Sequence, residues 1–190
     1  MSTLDQHIKQ GVCLLTLQRP DKYNAFNREL SMELQSALSS AHSNEDVRAI
    51  VLTGAGKAFC SGQDLGEAID PQGVGLDRIL SEHYNPLVRL MRSVMKPIVV
   101  AVNGVAAGAG ANLALTGDIV LASEHATFIQ AFANIGLVPD TGGTWTLPRL
   151  VGPGRASAWM MLGDKISAQE AQQAGMIYRV CPADRLQDEA

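Results

Sequence analysis

Pro97-Ile98-Val99-Val100-Ala101-Val102-Asn103-Gly104-Val105-Ala106-Ala107-Gly108-Ala109-Gly110-Ala111-Asn112 continues through Leu113 to Asp118-Ile119-Val120-Leu121-Ala122, and its reading decides the fold. A tract this long and apolar raises the question of a membrane span. Asn103, Asn112, Asp118 and four glycines interrupt it, and each would be costly in lipid. The tract divides instead into a strand over 97–102, a turn at Asn103-Gly104 and a run of small residues from Ala106 to Ala111. A helix then reaches Thr116, and a second strand covers 118–122. Such a tract is the buried centre of a folded protein, not a span.

Working outward, Val12 to Leu17 reads as a strand ending at the Arg19-Pro20-Asp21 turn. A helix is predicted from the cap at Asn27, with Leu30, Leu34, Ala37, Leu38 and Ala41 on one face. Ala49 to Thr53 is a short buried strand stopped by Gly54-Ala55-Gly56, and Ile69 to Gly75, with Pro and Gly, is expected to be a mobile loop. Ile79, Leu80, His83, Leu87, Leu90, Met91 and Val94 give a second helical stripe, with a kink expected at Pro86. Gly142 to Leu150 and Arg155 to Leu162 read as short helices. Ser167-Ala168-Gln169-Glu170 fits a capping box, and Gly175 a helix stop. Strands alternating with helices indicate one α/β domain over 1–190, without repeats or linkers.

The composition excludes several classes. Hydrophobic residues are 46% and charged residues 18% of the 190, a globular balance, and the net charge is −4. No Lys/Arg cluster offers a nucleic-acid or lipid footprint, so an anionic ligand would rest on a few local groups. Cys13, Cys60 and Cys181 have no metal-like spacing and read as reduced thiols. The first ten residues contain no apolar signal segment, so a cytoplasmic, soluble protein is expected.

Two loops are candidates for chemistry. Lys57-Ala58-Phe59-Cys60-Ser61-Gly62-Gln63-Asp64-Leu65 follows a strand, and its small residues admit a ligand close to the backbone. Asn103 to Asn112 places small residues before a helix, where N–H groups are free. Together they could direct two N–H donors at one carbonyl oxygen, the construction of an oxyanion hole. Either loop alone is also what close helix–strand packing requires. Neither is a P-loop, because no Gly-Lys-Ser/Thr follows, and Gly108-Ala109-Gly110 lacks the third glycine of a dinucleotide loop.

In this order the two loops resemble the oxyanion-hole segments of the crotonase (enoyl-CoA hydratase/isomerase) superfamily. The likeness runs from about Arg19-Pro20 to about Val180 and includes Asn24-Ala25-Phe26-Asn27 and Gly142-Gly143-Thr144. It implies a spiral of ββα units and N–H donors from Gln63 and Ala109. It also implies a coenzyme A site at Ala58, Ser61, Gln63, Asp64 and Leu65, with the substrate carried as a coenzyme A thioester and no further cofactor or metal. Hydratases of the family carry two glutamates where this chain has Asn112 and Phe132, which are therefore expected to meet the acyl group rather than to activate water. The resemblance places a catalytic carboxylate at Asp140, whose neighbours Ile135, Leu137, Val138 and Trp145 suggest an apolar setting that raises its pKa. The residues alone also allow Asp140 to be the N-cap of the following helix.

Within the family, Asn103 to Leu147 is most similar to the ring-1,2-epoxyphenylacetyl-CoA isomerases of phenylacetate catabolism, as is Tyr84-Asn85-Pro86-Leu87-Val88. The resemblance implies an isomerase acting through a thioester enolate. A dienoyl-CoA or fatty enoyl-CoA isomerase and a non-catalytic acyl-CoA binder are the alternatives. Asn112 either bonds the substrate or ties its helix to a neighbour, and Asp64 fixes its loop. Lys22 and Lys57 could meet coenzyme A phosphates, and Cys60 takes a small buried position. His7, His42, His83 and His125 have no Ser or Cys partner arranged as a triad. Family chains continue past the Val180 region into a helical segment that covers the site and builds trimers or hexamers, whereas this sequence stops at Ala190. That segment is expected to be absent or truncated, and a homotrimer or hexamer is expected where it is present.

Overall fold

The strands of the computed structural model, which describes residues 2–70 and 72–190, are dealt to two sheets. In chain order they are β1 (Leu4–Lys9), β2 (Val12–Leu17), β3 (Ala49–Gly54), β4 (Ala58–Cys60), β5 (Ile98–Val102), β6 (Val105–Ala107), β7 (Ile119–Ser123), β8 (Thr127–Ile129), β9 (Lys165–Ser167) and β10 (Arg179–Cys181). One sheet has the order β1-β2-β3-β5-β7-β10, the other β4-β6-β8-β9. From β3 to β8 successive strands alternate between them. β3, β5 and β7 run parallel in the first sheet, and β4, β6 and β8 run parallel in the second.

Helices fill the returns. α1 (Arg28–Ser43) lies between β2 and β3. α2 (Leu65–Ala68), α3 (Gly75–Arg78) and α4 (Asn85–Ser93) lie between β4 and β5. α5 (Ala109–Ala114) joins β6 to β7, and α6 (Gly143–Val151) and α7 (Pro153–Leu162) join β8 to β9. α8 (Ala168–Gln173) precedes β10, and α9 (Leu186–Glu189) follows it. The repeated strand–strand–helix step is the expected ββα spiral.

β5 is apolar at every position because strands flank it and both faces are covered, so no period-two alternation is needed. Ile98, Val100, Ala101 and Val102 are all essentially inaccessible. α1 begins as predicted, with the Asn27 side chain accepting from the Leu30 N–H at 3.0 Å. Its Leu30, Leu34, Leu38 and Ala41 are fully buried. Each leucine removed from water contributes about 1.5–3 kcal/mol, so the stripe is what holds α1 on the sheet.

The second helical stripe departs from a simple kinked α-helix. Ile79–Tyr84 forms a π-helical segment between α3 and α4. Pro86 has no N–H to give to the preceding turn. The carbonyls of Glu82 and His83 are instead reached by Gln35 Nε2 of α1, at 3.1 and 3.2 Å. The widened turn buries His83 and Tyr84. β1, β4, β6, β8, β9 and β10 are also additions to the sequence reading. The loop expected over 69–75 does separate α2 from α3, with Pro71 outside the described residues. No described helix is long and apolar enough to cross a membrane.

Candidate active site

β4 and β6 run parallel, with Ala58 opposite Val105 and Cys60 opposite Ala106. Both candidate loops therefore leave the second sheet at the same end, side by side. Two glycines set how closely they lie. A Cβ on Gly110 would stand 2.3 Å from the Cys60 carbonyl oxygen. A Cβ on Gly62 would stand 3.0 Å from the Ala107 oxygen and 3.5 Å from the Ala109 nitrogen. Backbone thus packs directly on backbone. Asn24 and Asn103 secure the base of the first loop, both donating to the Ala58 carbonyl, at 2.8 and 3.2 Å.

Phe26 orients the first loop. Its N–H donates to the Gly62 carbonyl, and its carbonyl accepts from the Asp64 N–H, both at 2.7 Å. The Gly62 carbonyl and the Gln63 N–H belong to one peptide plane and point in opposite directions. Bonding the carbonyl to Phe26 therefore turns the Gln63 N–H the other way. Ala109 is the first residue of α5, where an N–H has no intrahelical acceptor. Among the described residues neither N–H has a hydrogen-bond acceptor.

Both loops border a cleft of about 570 Å³. Ser61, Gly62, Gln63, Asp64 and Leu65 line it from the first loop, and Gly108 and Ala109 from the second. Phe132, Ile135 and Leu137, which follow β8, line it together with Leu76, Ile79 and Tyr84. Asp140 and Lys22 complete the polar lining together with Asn134. The surface is otherwise largely apolar, as small-molecule sites generally are. Among the described residues no group of three or more His, Cys, Asp or Glu gathers as a metal site.

Asp140 is held by its own backbone. Its carbonyl accepts from the Gly143 N–H at 2.8 Å and from Asn112 Nδ2 at 2.9 Å. The cap position of α6 belongs to Gly142, and the Asp140 carboxylate does not cap the helix. It accepts instead from the Thr141 hydroxyl at 2.8 Å. Thr141 and Gly142 are both left-handed, with φ of 50° and 74°. A β-branched residue there costs about 1–2 kcal/mol, so the backbone beside the carboxylate is strained. Burial raises the Asp140 pKa, and the Thr141 bond offsets this only in part.

Of the four residues expected to give Asp140 an apolar setting, two line the cleft and two face outward. Val138 is 75% and Trp145 65% exposed, and Trp145 stacks under the Arg149 guanidinium. Leu137 and Ile135 do line the cleft, together with Phe132, Ile79 and Tyr84. Asp64, the other carboxylate of the lining, goes the opposite way. Partial burial works to raise it, but the Arg19 bond at 2.8 Å and the Gly66 N–H outweigh that and hold it below the ordinary range. It fixes its loop, as expected.

Three sequence assignments change. Asn112 is fully buried and does not border the cleft. Its Nδ2 serves the Asp140 carbonyl and its Oδ1 accepts from Gln130 Nε2 at 2.8 Å, so it ties α5 to the Asp140 turn rather than touching an acyl group. Ala58 is buried in β4 with its carbonyl already bonded, and it too lies off the cleft. Lys57 is not a lining residue, whereas Lys22 is. Tyr84, Leu76 and Ile79 border the cleft and were not singled out as site residues. Ile79 carries only the signal of the helical stripe, which core packing explains equally well, and Tyr84 only its place in the Tyr84–Val88 stretch. His83 is buried beside Arg28, without a nucleophile.

The sequence profile described as enoyl-CoA hydratase/isomerase matches residues 7–190. The chain belongs to that family. It is 46% identical to the 1,2-epoxyphenylacetyl-CoA isomerase of Escherichia coli, over all of this chain and 74% of the relative. It is 48% identical to a Rhodobacter capsulatus protein assigned to the enoyl-CoA hydratases, over 95% of this chain and 69% of that one. The crystal structure of an enoyl-CoA hydratase from Bacillus anthracis superposes with a TM-score of 0.91 at 32% identity, covering 98% of this chain and 73% of the other. The family relationship accounts for the spiral and for the pairing of the two loops beside the cleft.

Proposed function

We propose that this family member is an acyl-CoA isomerase that stabilises a thioester enolate with the Gln63 and Ala109 N–H groups and moves the proton with Asp140. The observation that carries this reading is the contrast between the two carboxylates of the cleft. Asp64 is tied to Arg19, while burial shifts Asp140 toward the range where a carboxylate is a useful base.

Thioester α-protons are too weakly acidic for a carboxylate unaided. Two N–H groups on the carbonyl oxygen stabilise the enolate, and losing one such donor costs about 2.7–4 kcal/mol. In a double-bond shift Asp140 takes the C2 proton and the electron pair moves into the thioester carbonyl. The pair then returns to form the C2–C3 double bond as Asp140 gives the proton to C4. One base performs both transfers. Hydration needs a second group to activate water, and the positions that carry glutamates in hydratases hold a buried amide and an aromatic ring, Asn112 and Phe132. The similarity to the Escherichia coli isomerase favours ring-1,2-epoxyphenylacetyl-CoA, rearranged to oxepin-CoA, as the further substrate. Ser61, Leu65 and Lys22 border the cleft where the coenzyme A moiety would enter.

The test is a direct comparison of reactions. The protein is given a 3-enoyl-CoA and, separately, a 2-enoyl-CoA, and conjugation and hydration are followed. Isomerisation is expected, with hydration at least about 100-fold slower, the lower end of what a general acid–base pair contributes. Efficient hydration without isomerisation would overturn the assignment. Chromatography of products from the aromatic epoxide then decides the ring substrate.

A further inference from the structure

The Gln63 side chain is gripped at both ends. Its Nε2 donates to Glu67 Oε2 at 2.8 Å, and its Oε1 accepts from the Tyr84 hydroxyl at 2.9 Å. A carboxylate only accepts, so the NH₂ end of the amide must face Glu67 and the oxygen must face Tyr84. The Tyr84 proton is thereby committed to Gln63. Glu67 is anchored in turn, since its other oxygen accepts from the Arg28 N–H at the start of α1, at 2.9 Å. Tyr84 is 1% exposed, and its ring packs on Phe26 with centroids 5.8 Å apart. Phe26 is the residue whose backbone brackets Gln63. Side chain and main chain of Gln63 are therefore held by one connected group, in a loop where Gly62, at φ 96°, leaves the preceding peptide otherwise free to rotate.

We infer that Tyr84 and Glu67 are positioning residues that clamp the Gln63 side chain and so keep its backbone N–H aimed at the thioester oxygen. The inference rests on the role proposed above for that N–H. It also explains the π-helical segment. By widening the turn at Ile79–Tyr84, the chain buries Tyr84 against Phe26 and brings its hydroxyl to Gln63, in contact with a cleft that an ordinary core tyrosine would not need to reach. Burial, and then the negative charges around it, keep the phenol protonated far above its ordinary pKa, so the clamp does not come apart across the working range of pH. Donors aimed in advance at developing charge lose little to reorganisation, which is why a degree of misalignment lowers rate rather than binding.

The experiment uses Tyr84→Phe, Gln63→Met and the double variant. Tyr84→Phe keeps the ring and its packing and removes one hydroxyl. Gln63→Met keeps the backbone N–H and removes the amide. For each, kcat and KM for a 3-enoyl-CoA are measured, together with the red shift of cinnamoyl-CoA absorbance on binding, which reports polarisation of the conjugated thioester. Tyr84→Phe is expected to lower kcat about tenfold, less than the 100- to 1,000-fold of a lost donor, with KM within about twofold, since remote binding contacts are untouched. The bound cinnamoyl-CoA spectrum should move back toward that of the free thioester. In the Gln63→Met background the tyrosine change should add little, because both act on one unit. A wild-type kcat and spectral shift in Tyr84→Phe, or full additivity of the two substitutions, would overturn the clamp. Absence of any red shift in the wild type would remove the oxyanion hole itself, a different failure from loss of the clamp.

Discussion

Replacing Gly110 by alanine should separate the two loops and report on both stability and rate. The added Cβ would stand 2.3 Å from the Cys60 carbonyl oxygen and 2.7 Å from its sulfur, where ordinary contact begins at 3.4 Å. The loops must therefore part by about 1 Å. Neither side yields easily, since the carbonyl belongs to β4 and Gly110 to α5, both fully buried. Overpacking of this kind costs about 1–3 kcal/mol. At about 2–4 °C per kcal/mol for a chain of this size, the melting temperature should fall by about 2–12 °C. The effect on rate should be larger than stability alone suggests. Ala109 moves with Gly110, and a displacement near 1 Å of a positioned group costs about 100-fold in rate. Calorimetry and kcat/KM for isomerisation, measured well below the melting temperature, separate the two effects. A variant that melts earlier yet retains wild-type kcat/KM would refute the claim that the loop spacing sets the position of the donors.

Asp140 should carry a signature in pH. Its carboxyl is raised by burial, so ionising it destabilises the native state: stability should fall as pH rises from the ordinary carboxylate range through the raised value. Asp140→Asn should accordingly raise the melting temperature at neutral pH, with the gain disappearing below the unfolded pKa near pH ~3.9, as thermal denaturation at several pH values would show. In the wild type, kcat/KM should lose activity on the acid side at a pH above that of an unperturbed aspartate. Burial also pushes the Cys60 thiol up to about 12, and Cys13, Cys60 and Cys181 are all buried. A chromogenic disulfide reagent near pH 8 should find no fast-reacting thiol until denaturant is added.

The parts of the fold legible in the sequence are those where one segment decides its own structure. β2 begins and ends at Val12 and Leu17 because apolar residues fill it and Arg19-Pro20 stops it. The Asn27 and Ser167 caps were readable because a short polar side chain before an apolar-periodic run has few other uses. β4, β6 and β8 were not readable. Each is three residues long, and each exists only because a partner distant in sequence, such as Val105 for Ala58 or Thr127 for Val105, pairs with it. β1 is an edge strand with most of its residues exposed, so its pattern lacks a buried face.

The site divides the same way. The two loops and Asp140 stood out because their residue types and order are unusual together. The sequence allows Asn112 two roles, and only the positions of Gln130 and the Asp140 carbonyl decide that it is a tie. The setting of Asp140 was assigned to sequence neighbours, but left-handed Thr141 and Gly142 turn the chain so that Val138 and Trp145 face outward. Tyr84 lies in a stretch that shares the family resemblance, but nothing local marks it as a site residue, because its role depends on the π-helical turn and on Gln63, 21 residues earlier, reaching its hydroxyl.

The most direct test of the account is the turnover of a 3-enoyl-CoA by Asp140→Asn beside the wild type, with thioester affinity measured on the same preparations. The amide keeps the size of the carboxyl and cannot accept the α-proton. Isomerisation is expected to fall by about 100- to 10,000-fold, the range for a lost general base, while the dissociation constant changes little. Wild-type turnover in Asp140→Asn would contradict the account, because proton transfer would then have to belong to another group.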